Sequence, residues 1–105
     1  MARRAFYALC THIDHQLRLV TGTLREEGLL DDTIICFTSD HGDMLGNHHL
    51  WAKRLFYENS VNVPLILLGA SGDSRVGYNV VDDRLAQWRD VMPTLLDLAG
   101  IPIPE

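Results

Sequence analysis

The sequence predicts part of an α/β sandwich, in which a mainly parallel sheet is flanked by helices. Three features indicate this incomplete fold: a long helical pattern near the N-terminus, two short apolar runs at residues 33–38 and 63–68, and a second helical pattern near the C-terminus. Continuous apolar strands, without polar residues at alternate positions, are typical of sheets that helices bury on both faces.

The first element is a helix whose apolar residues recur at steps of three and four, which places them on one face. These residues are Phe6, Leu9, Cys10, Ile13, Leu17, Val20 and Leu24. Gly28 follows the pattern and can adopt the left-handed conformation that commonly ends a helix. We therefore expect one long helix that stops just before this glycine.

The remaining elements are short. Residues 33–38 and 63–68 predict strands, and Pro64 is tolerated because it lies near the start of its run, where a missing N–H matters least. The pair of valines at residues 80–81 predicts a brief third strand. Asp90 can cap a last helix over residues 91–100, with Pro93 in its first turn and Gly100 at its end.

Composition narrows the class of protein. The 105 residues are 47% hydrophobic and 22% charged, which is ordinary for one globular unit. A formal net charge of -5, with nine scattered Lys and Arg, argues against a nucleic-acid partner. No apolar stretch approaches the roughly 20 residues of a membrane span, and the N-terminus does not resemble a signal peptide. Cys10 and Cys36 do not form a C-x-x-C pair, so we expect two free thiols.

The segment "SDHGDMLGNHHLWAK", residues 39–53, holds most of the chemistry. It directly follows the first apolar run, and the carboxyl ends of strands are where open α/β sheets bind ligands. Asp40 offers carboxylate oxygens and His41 an imidazole nitrogen, and Gly42 permits the sharp turn that would let both reach one cation. Two other interpretations stay open: Asp40 caps the next turn and His41 is a surface residue, or three histidines bind zinc.

The three-histidine alternative would combine His41 with His48 and His49. Their spacing matches neither a zinc finger nor an H-E-x-x-H motif.

Lys53 lies at the end of the segment, and its ammonium could hold an anion beside a metal. Unit charges about 4 Å apart attract by about 4 kcal/mol at an effective dielectric constant near 20, before desolvation is subtracted. A solvated lysine without a role is the alternative.

The motifs "SDHGDMLGNHHLWAK", "YENSVNVPLILLG" and "DVMPTLLDLAGIPIP", together with "YALCTHIDHQLRLVTGTLREEGLLDDTIICFTSDHG", closely resemble the sulfatase family of the alkaline-phosphatase-like superfamily. The resemblance covers essentially the whole chain and implies that residues 1–105 are one partial domain, the C-terminal portion of a catalytic domain. It implies that Asp40 and His41 ligate a divalent cation, calcium in most sulfatases, and that Lys53 contacts the sulfate group in catalysis. His48 is a weaker candidate for substrate contact.

The resemblance also implies parts that the chain does not carry. The family's formylglycine nucleophile arises from the cysteine of a C-x-P-S-R segment, expected upstream with an acidic pair that completes the metal site. Cys10 is followed by "THID" and Cys36 by "FTSD", so neither matches. We therefore expect the isolated chain to be inactive and to need the remainder of the catalytic domain as its partner.

The expected substrate of the whole protein is a sulfate ester, either a small molecule or a sulfated glycan. Two alternatives remain: a phosphodiester or phosphonate hydrolase of the same superfamily, with zinc or manganese as its metal, or a non-enzymatic scaffold or binding module. Neither a nucleic acid nor a membrane is expected as a partner.

Overall fold

A computed structural model describes residues 2–104. Its elements, in chain order, are α1 (Ala2–Glu26), a single 3-10 turn (Leu30–Asp32), β1 (Ile35–Thr38), a second such turn (Asn47–His49), α2 (Glu58–Val61), β2 (Leu65–Leu68) and α3 (Trp88–Leu98). Where the sequence predicts the long first helix, the two strands and the last helix, the structure confirms them. The described chain thus contains both helices and strands, in the order helix, strand, short helix, strand, helix.

α1 ends as its sequence predicts. Gly28 adopts a φ of +70°, in the left-handed region where glycine meets no Cβ penalty. The N–H of Leu29 donates to the carbonyl of Leu24 at 2.8 Å, and the N–H of Gly28 donates to that of Arg25 at 3.1 Å. These two bonds satisfy carbonyls that the end of a helix would otherwise leave unpaired, which fixes where α1 stops.

The strands pair in the direction opposite to the one predicted. β1 and β2 are antiparallel, with Ile35 opposite Leu68 and Thr38 opposite Leu65, so the prediction of a mainly parallel sheet is not confirmed in residues 2–104. A parallel neighbour needs a connection that crosses one face of the sheet. Here the chain that connects the strands returns to the end of β1 from which it left. The N–H of Gly42, just after β1, donates to the carbonyl of Ser60, just before β2, at 2.9 Å.

Two smaller predictions are corrected. Residues 80–81 form no strand in the described chain; Val80 and Val81 are exposed, at 68% and 90%, and contribute no ladder to the sheet.

Asp90 is not the residue before the last helix, as predicted, because α3 begins at Trp88. Asp90 instead stabilises the start of α3 from inside its first turn. Its Oδ2 accepts the backbone N–H of Gln87, the N-cap residue, at 2.7 Å. A carboxylate at the third helical position can satisfy the cap in this way.

The C-terminal end of α3 is fixed by Arg75. Nη1 of Arg75 donates to the carbonyl of Asp97 and Nη2 donates to that of Leu98, each at 2.8 Å. The same guanidinium makes two bonds to the Asp73 carboxylate, at 2.9 and 2.7 Å. A cation is favoured there because the last carbonyls of a helix carry partial negative charge. The loop after β2 thereby holds α3 in place.

The described chain has a small core of its own. Met44 and Leu98 are its buried apolar residues, and the radius of gyration is 16.6 Å, compared with about 13 Å for a compact domain of this length. The strands are half-buried or exposed rather than buried on both faces. The apolar face of α1 is largely open to solvent, at Phe6, Leu9, Ile13, Leu17 and Val20. Within residues 2–104, the helices are too short or too polar to cross a membrane.

The Arg75 contacts lead to a prediction about acid stability. Hydrogen bonds from Arg75 lower the pKa of Asp73 below its ordinary value of 3.8. A lowered carboxyl pKa stabilises the folded state above pH ~4, and this stabilisation is lost as the pH falls through the lowered value. We expect Arg75→Ala to reduce hydrogen-exchange protection at the C-terminal end of α3 at pH 7. We expect this protection to fall less on acidification in Asp73→Asn than in the unmutated chain.

The Asp82–Arg84 pair is a matched control for this prediction. Arg84 lowers the pKa of Asp82 to about 2, but the Arg84 side chain is 89% exposed and makes no bond to a helix end among the described residues. Exposed ion pairs contribute little to stability. Arg84→Ala should therefore leave the protection of α3 unchanged, and equal losses in the two variants would contradict the role given to Arg75.

Candidate metal and anion site

The segment that leaves β1 brings Asp40 and His41 together. Oδ2 of Asp40 lies 3.1 Å from Nε2 of His41, and the two side chains are 73% and 36% exposed. The other ring nitrogen of His41, Nδ1, lies 2.7 Å from the carbonyl oxygen of Gly42. Because a carbonyl oxygen can only accept a hydrogen bond, Nδ1 carries the proton in this contact.

This contact decides which nitrogen of His41 can bind a cation. In the neutral ring, a proton on Nδ1 leaves the lone pair on Nε2, which faces the Asp40 carboxylate. Two electron-rich atoms 3.1 Å apart are favourable neighbours when a proton or a cation lies between them. Neighbouring ligands of one metal ion are separated by a similar distance, so the pair fits two positions of a coordination sphere.

Gly42 is packed tightly against the segment that precedes β2. A Cβ built on Gly42 would collide with the backbone carbonyl of Asn59, so only glycine fits without a shift of the chain. Oγ of Ser39 donates to the carbonyl of His41 at 2.8 Å. The antiparallel pairing brings residues 58–63 to this end of β1, and their backbone holds the turn that presents Asp40 and His41.

Trp88 is also bonded to the same segment. The indole Nε1–H of Trp88 lies 3.1 Å from the carbonyl of Ser39 and 3.1 Å from that of Asp40, so one donor is shared between two acceptors. Trp88 is the first residue of α3. The N-terminal end of this helix is therefore bonded directly to the chain leaving β1.

A cleft of about 300 Å³ lies beside this segment. It is lined by Asp40, His41, Lys53, Arg54, Leu55, Phe56, Ser60, Val61, Val63 and Trp88. Three residues that the sequence singles out, Asp40, His41 and Lys53, therefore share one cleft. Neither Lys53 nor Arg54 forms an ion pair with another residue between 2 and 104. The cleft thus combines two metal-ligand types with two cationic groups.

The other singled-out residues lie outside the cleft lining. The ring of His48 stacks on Tyr57, with centroids 4.3 Å apart and planes 13° from parallel. Oδ1 of Asp43 accepts the N–H of Leu45 at 2.7 Å, a contact within the loop itself. Among the described residues, no three His, Cys, Asp or Glu side chains cluster as a metal site, which argues against zinc binding by His41, His48 and His49. Substrate contact by His48 stays a prediction.

Sequence reasoning missed two residues of this cleft. Arg54 follows Lys53 directly, and a second cation beside the first was a visible signal for an anion site. Trp88 is far from the segment in the chain and falls in a helical pattern, so only the three-dimensional structure shows its contact with it.

The chain belongs to the sulfatase family of sulfuric ester hydrolases, since the model of the family described as Sulfatase matches residues 2–101. This family has the alkaline-phosphatase-like α/β fold. The chain is 42% identical over 104 residues to an arylsulfatase of Clostridium perfringens, covering 99% of this chain and 22% of that protein.

Two further relatives show the same pattern. A choline-sulfatase of Rhizobium meliloti is 40% identical over 99% of this chain and 19% of its own length. Arylsulfatase K of Bos taurus is 37% identical over 98% of this chain and 18% of its own length. The chain thus spans about a fifth of the length of these curated relatives.

Proposed function

We propose that this chain is the C-terminal portion of a sulfatase catalytic domain and supplies part of its metal site and part of its sulfate site. The observation that carries the proposal is the shared cleft: Asp40, His41 and Lys53 line it together. The open apolar face of α1 and the small core support a chain that packs against the remainder of that domain.

The proposed metal is a divalent cation held by Oδ2 of Asp40 and Nε2 of His41. The carboxylate suits calcium, which prefers oxygen ligands, and the orientation of His41 leaves its free lone pair toward the same point. Two ligands alone hold calcium weakly, since calcium takes about 6–8 ligands. An upstream acidic pair would complete the set, and the bound cation would offset negative charge on the sulfuryl oxygens.

The proposed anion site is formed by Lys53, with Arg54 beside it. Lys53 would contact a sulfuryl oxygen with its ammonium and stabilise the charge that grows as the ester bond breaks. Arg54 raises the positive potential of the cleft, which favours a negatively charged ester over a neutral one. The substrate class is a sulfate ester, of a small molecule or a glycan.

The nucleophile of the reaction would be a formylglycine upstream of this chain. Since residues 1–105 contain no C-x-P-S-R segment, we expect the isolated chain to be inactive. Hydrolysis of 4-nitrophenyl sulfate by the isolated chain would contradict this part of the proposal. Tight stoichiometric binding of Ca²⁺ by it would favour a binding module instead.

The imidazole of His41, one of the two proposed metal ligands, also favours a second candidate function. An imidazole nitrogen suits zinc better than calcium, and zinc or manganese is the metal expected of a phosphodiester or phosphonate hydrolase of the superfamily. The two functions differ in substrate and in metal, so one experiment distinguishes them.

That experiment compares esters and metals in the full protein that contains this chain. After chelation, Ca²⁺ should restore hydrolysis of 4-nitrophenyl sulfate, and the kcat/KM should exceed that for 4-nitrophenyl phosphate by at least about tenfold, or about 1.4 kcal/mol. Restoration by Zn²⁺ or Mn²⁺ with a preference for the phosphate ester would instead establish the alternative. The upstream sequence gives an independent check, because a sulfatase should encode the C-x-P-S-R segment.

A further inference from the structure

We propose that Trp88 is a positioning residue for Asp40, acting through the backbone that carries this carboxylate. This inference rests on the proposed function, because it assigns to Asp40 a role as a metal ligand. Trp88 touches neither the metal nor the sulfate in the proposal. Its indole N–H instead fixes the direction in which the Asp40 side chain leaves the chain.

The first step concerns backbone groups that the sheet leaves unpaired. The last pair of the β1–β2 register is Thr38 with Leu65, so the ladder ends before Ser39. The carbonyls of Ser39 and Asp40 both accept from Nε1 of Trp88 at 3.1 Å. These two carbonyls belong to the peptide groups on either side of the Asp40 Cα atom. Holding both restricts rotation of the backbone at Asp40.

The second step is that the side chain of Asp40 has little other support. It is 73% exposed, and within residues 2–104 its side chain contacts its immediate neighbours Ser39 and His41. Its direction therefore depends on the backbone at Asp40 and on these two sequence neighbours. A carboxylate that samples several directions must be ordered when the metal binds, and this ordering weakens the affinity for the metal.

The third step is that the helix carrying Trp88 is stabilised at both ends. It begins α3, whose first turn is capped by Asp90 and whose last carbonyls accept from Arg75. Trp88 also lines the cleft, with 53% of its surface exposed. The tryptophan thus links a helix that is stabilised at both ends to the segment that leaves β1.

The test uses Trp88→Phe, which keeps an aromatic ring and removes the N–H. We expect the Kd of the chelator-stripped full protein for Ca²⁺, measured by calorimetry, to rise roughly 10- to 100-fold, the range typical of groups that orient metal ligands. At saturating Ca²⁺ the kcat for 4-nitrophenyl sulfate should largely recover. A purely structural role would lower the thermal midpoint of the metal-free protein without this dependence on Ca²⁺.

Trp51→Phe is the matched control. Trp51 is the other tryptophan of the chain, it is 52% exposed, and its indole N–H donates to no residue within 2–104. Its replacement should leave the Kd for Ca²⁺ unchanged. An unchanged Kd in Trp88→Phe, or equal rises in both variants, would overturn the inference. Failure of the unmutated protein to bind Ca²⁺ and to cleave the sulfate ester would instead overturn the proposed function.

A second measurement needs no substitution. In protein labelled with ¹⁵N-tryptophan, the indole proton of Trp88 should exchange with solvent more slowly than that of Trp51, because only the former is hydrogen bonded among the described residues. Equal exchange rates would show that the bonds to Ser39 and Asp40 do not persist in solution, and the inference would fail even if Trp88→Phe did not fold.

Discussion

Asp40→Asn is expected to weaken binding of Ca²⁺ to the full protein by roughly 100- to 1,000-fold. The substitution keeps the shape of the side chain and removes its negative charge. The charge of a carboxylate ligand contributes several kcal/mol of attraction to a divalent cation, solvation of the exposed carboxylate offsets part of it, and each 1.4 kcal/mol that remains is about tenfold in Kd. Calorimetric titration of the chelator-stripped protein measures the change, and activity at limiting Ca²⁺ should fall in parallel.

Asp43→Asn is the matched control for this substitution. Asp43 lies in the same loop, and its Oδ1 accepts the N–H of Leu45, a bond that asparagine can keep. The variant should therefore bind Ca²⁺ as the unmutated protein does. Equal losses in the two variants would show that the charge of the loop as a whole, and not ligation by Asp40, governs binding.

Lys53→Ala is expected to lower kcat/KM for a sulfate ester by roughly 100- to 1,000-fold, the usual cost of removing one group that stabilises charge in a transition state. Because Lys53 is not a proposed metal ligand, the Kd for Ca²⁺ should not rise. Steady-state kinetics at saturating Ca²⁺, together with a titration of the same variant, measure the two quantities separately.

Arg54→Ala provides the comparison for Lys53. Both residues carry one positive charge and both line the cleft, so the general potential changes equally in the two variants. If Lys53 contacts the sulfate group directly, its loss should cost at least about tenfold more in kcat/KM than the loss of Arg54. Equal costs would reduce Lys53 to a contributor to the general potential.

Local patterns predicted α1 and α3 well, whereas the short helix α2 was not predicted. The steps of three and four in α1, its end at Gly28, and the end of α3 at Gly100 all follow from side-chain periodicity and from glycine's access to positive φ. The direction of β2 could not be predicted in this way. An apolar run of four to six residues reads alike in parallel and antiparallel pairs, and only the path of the connecting chain decides between them.

The candidate site also contains residues that the sequence predicted and one that it did not. Asp40, His41 and Lys53 lie close together in the sequence, and their residue types indicated cation and anion binding before the cleft was known. Trp88 could not be found this way, because its bond to the segment depends on where the start of α3 lies relative to the end of β1. Contacts between distant parts of a chain leave no local pattern.

The most direct test of the central claim is a crystal structure of the full protein with Ca²⁺ and sulfate bound. We expect the cation about 2.3–2.6 Å from a carboxylate oxygen of Asp40 and coordinated by Nε2 of His41, with a sulfate oxygen within hydrogen-bonding distance of Nζ of Lys53. A cation bound with neither Asp40 nor His41 among its ligands would contradict the account.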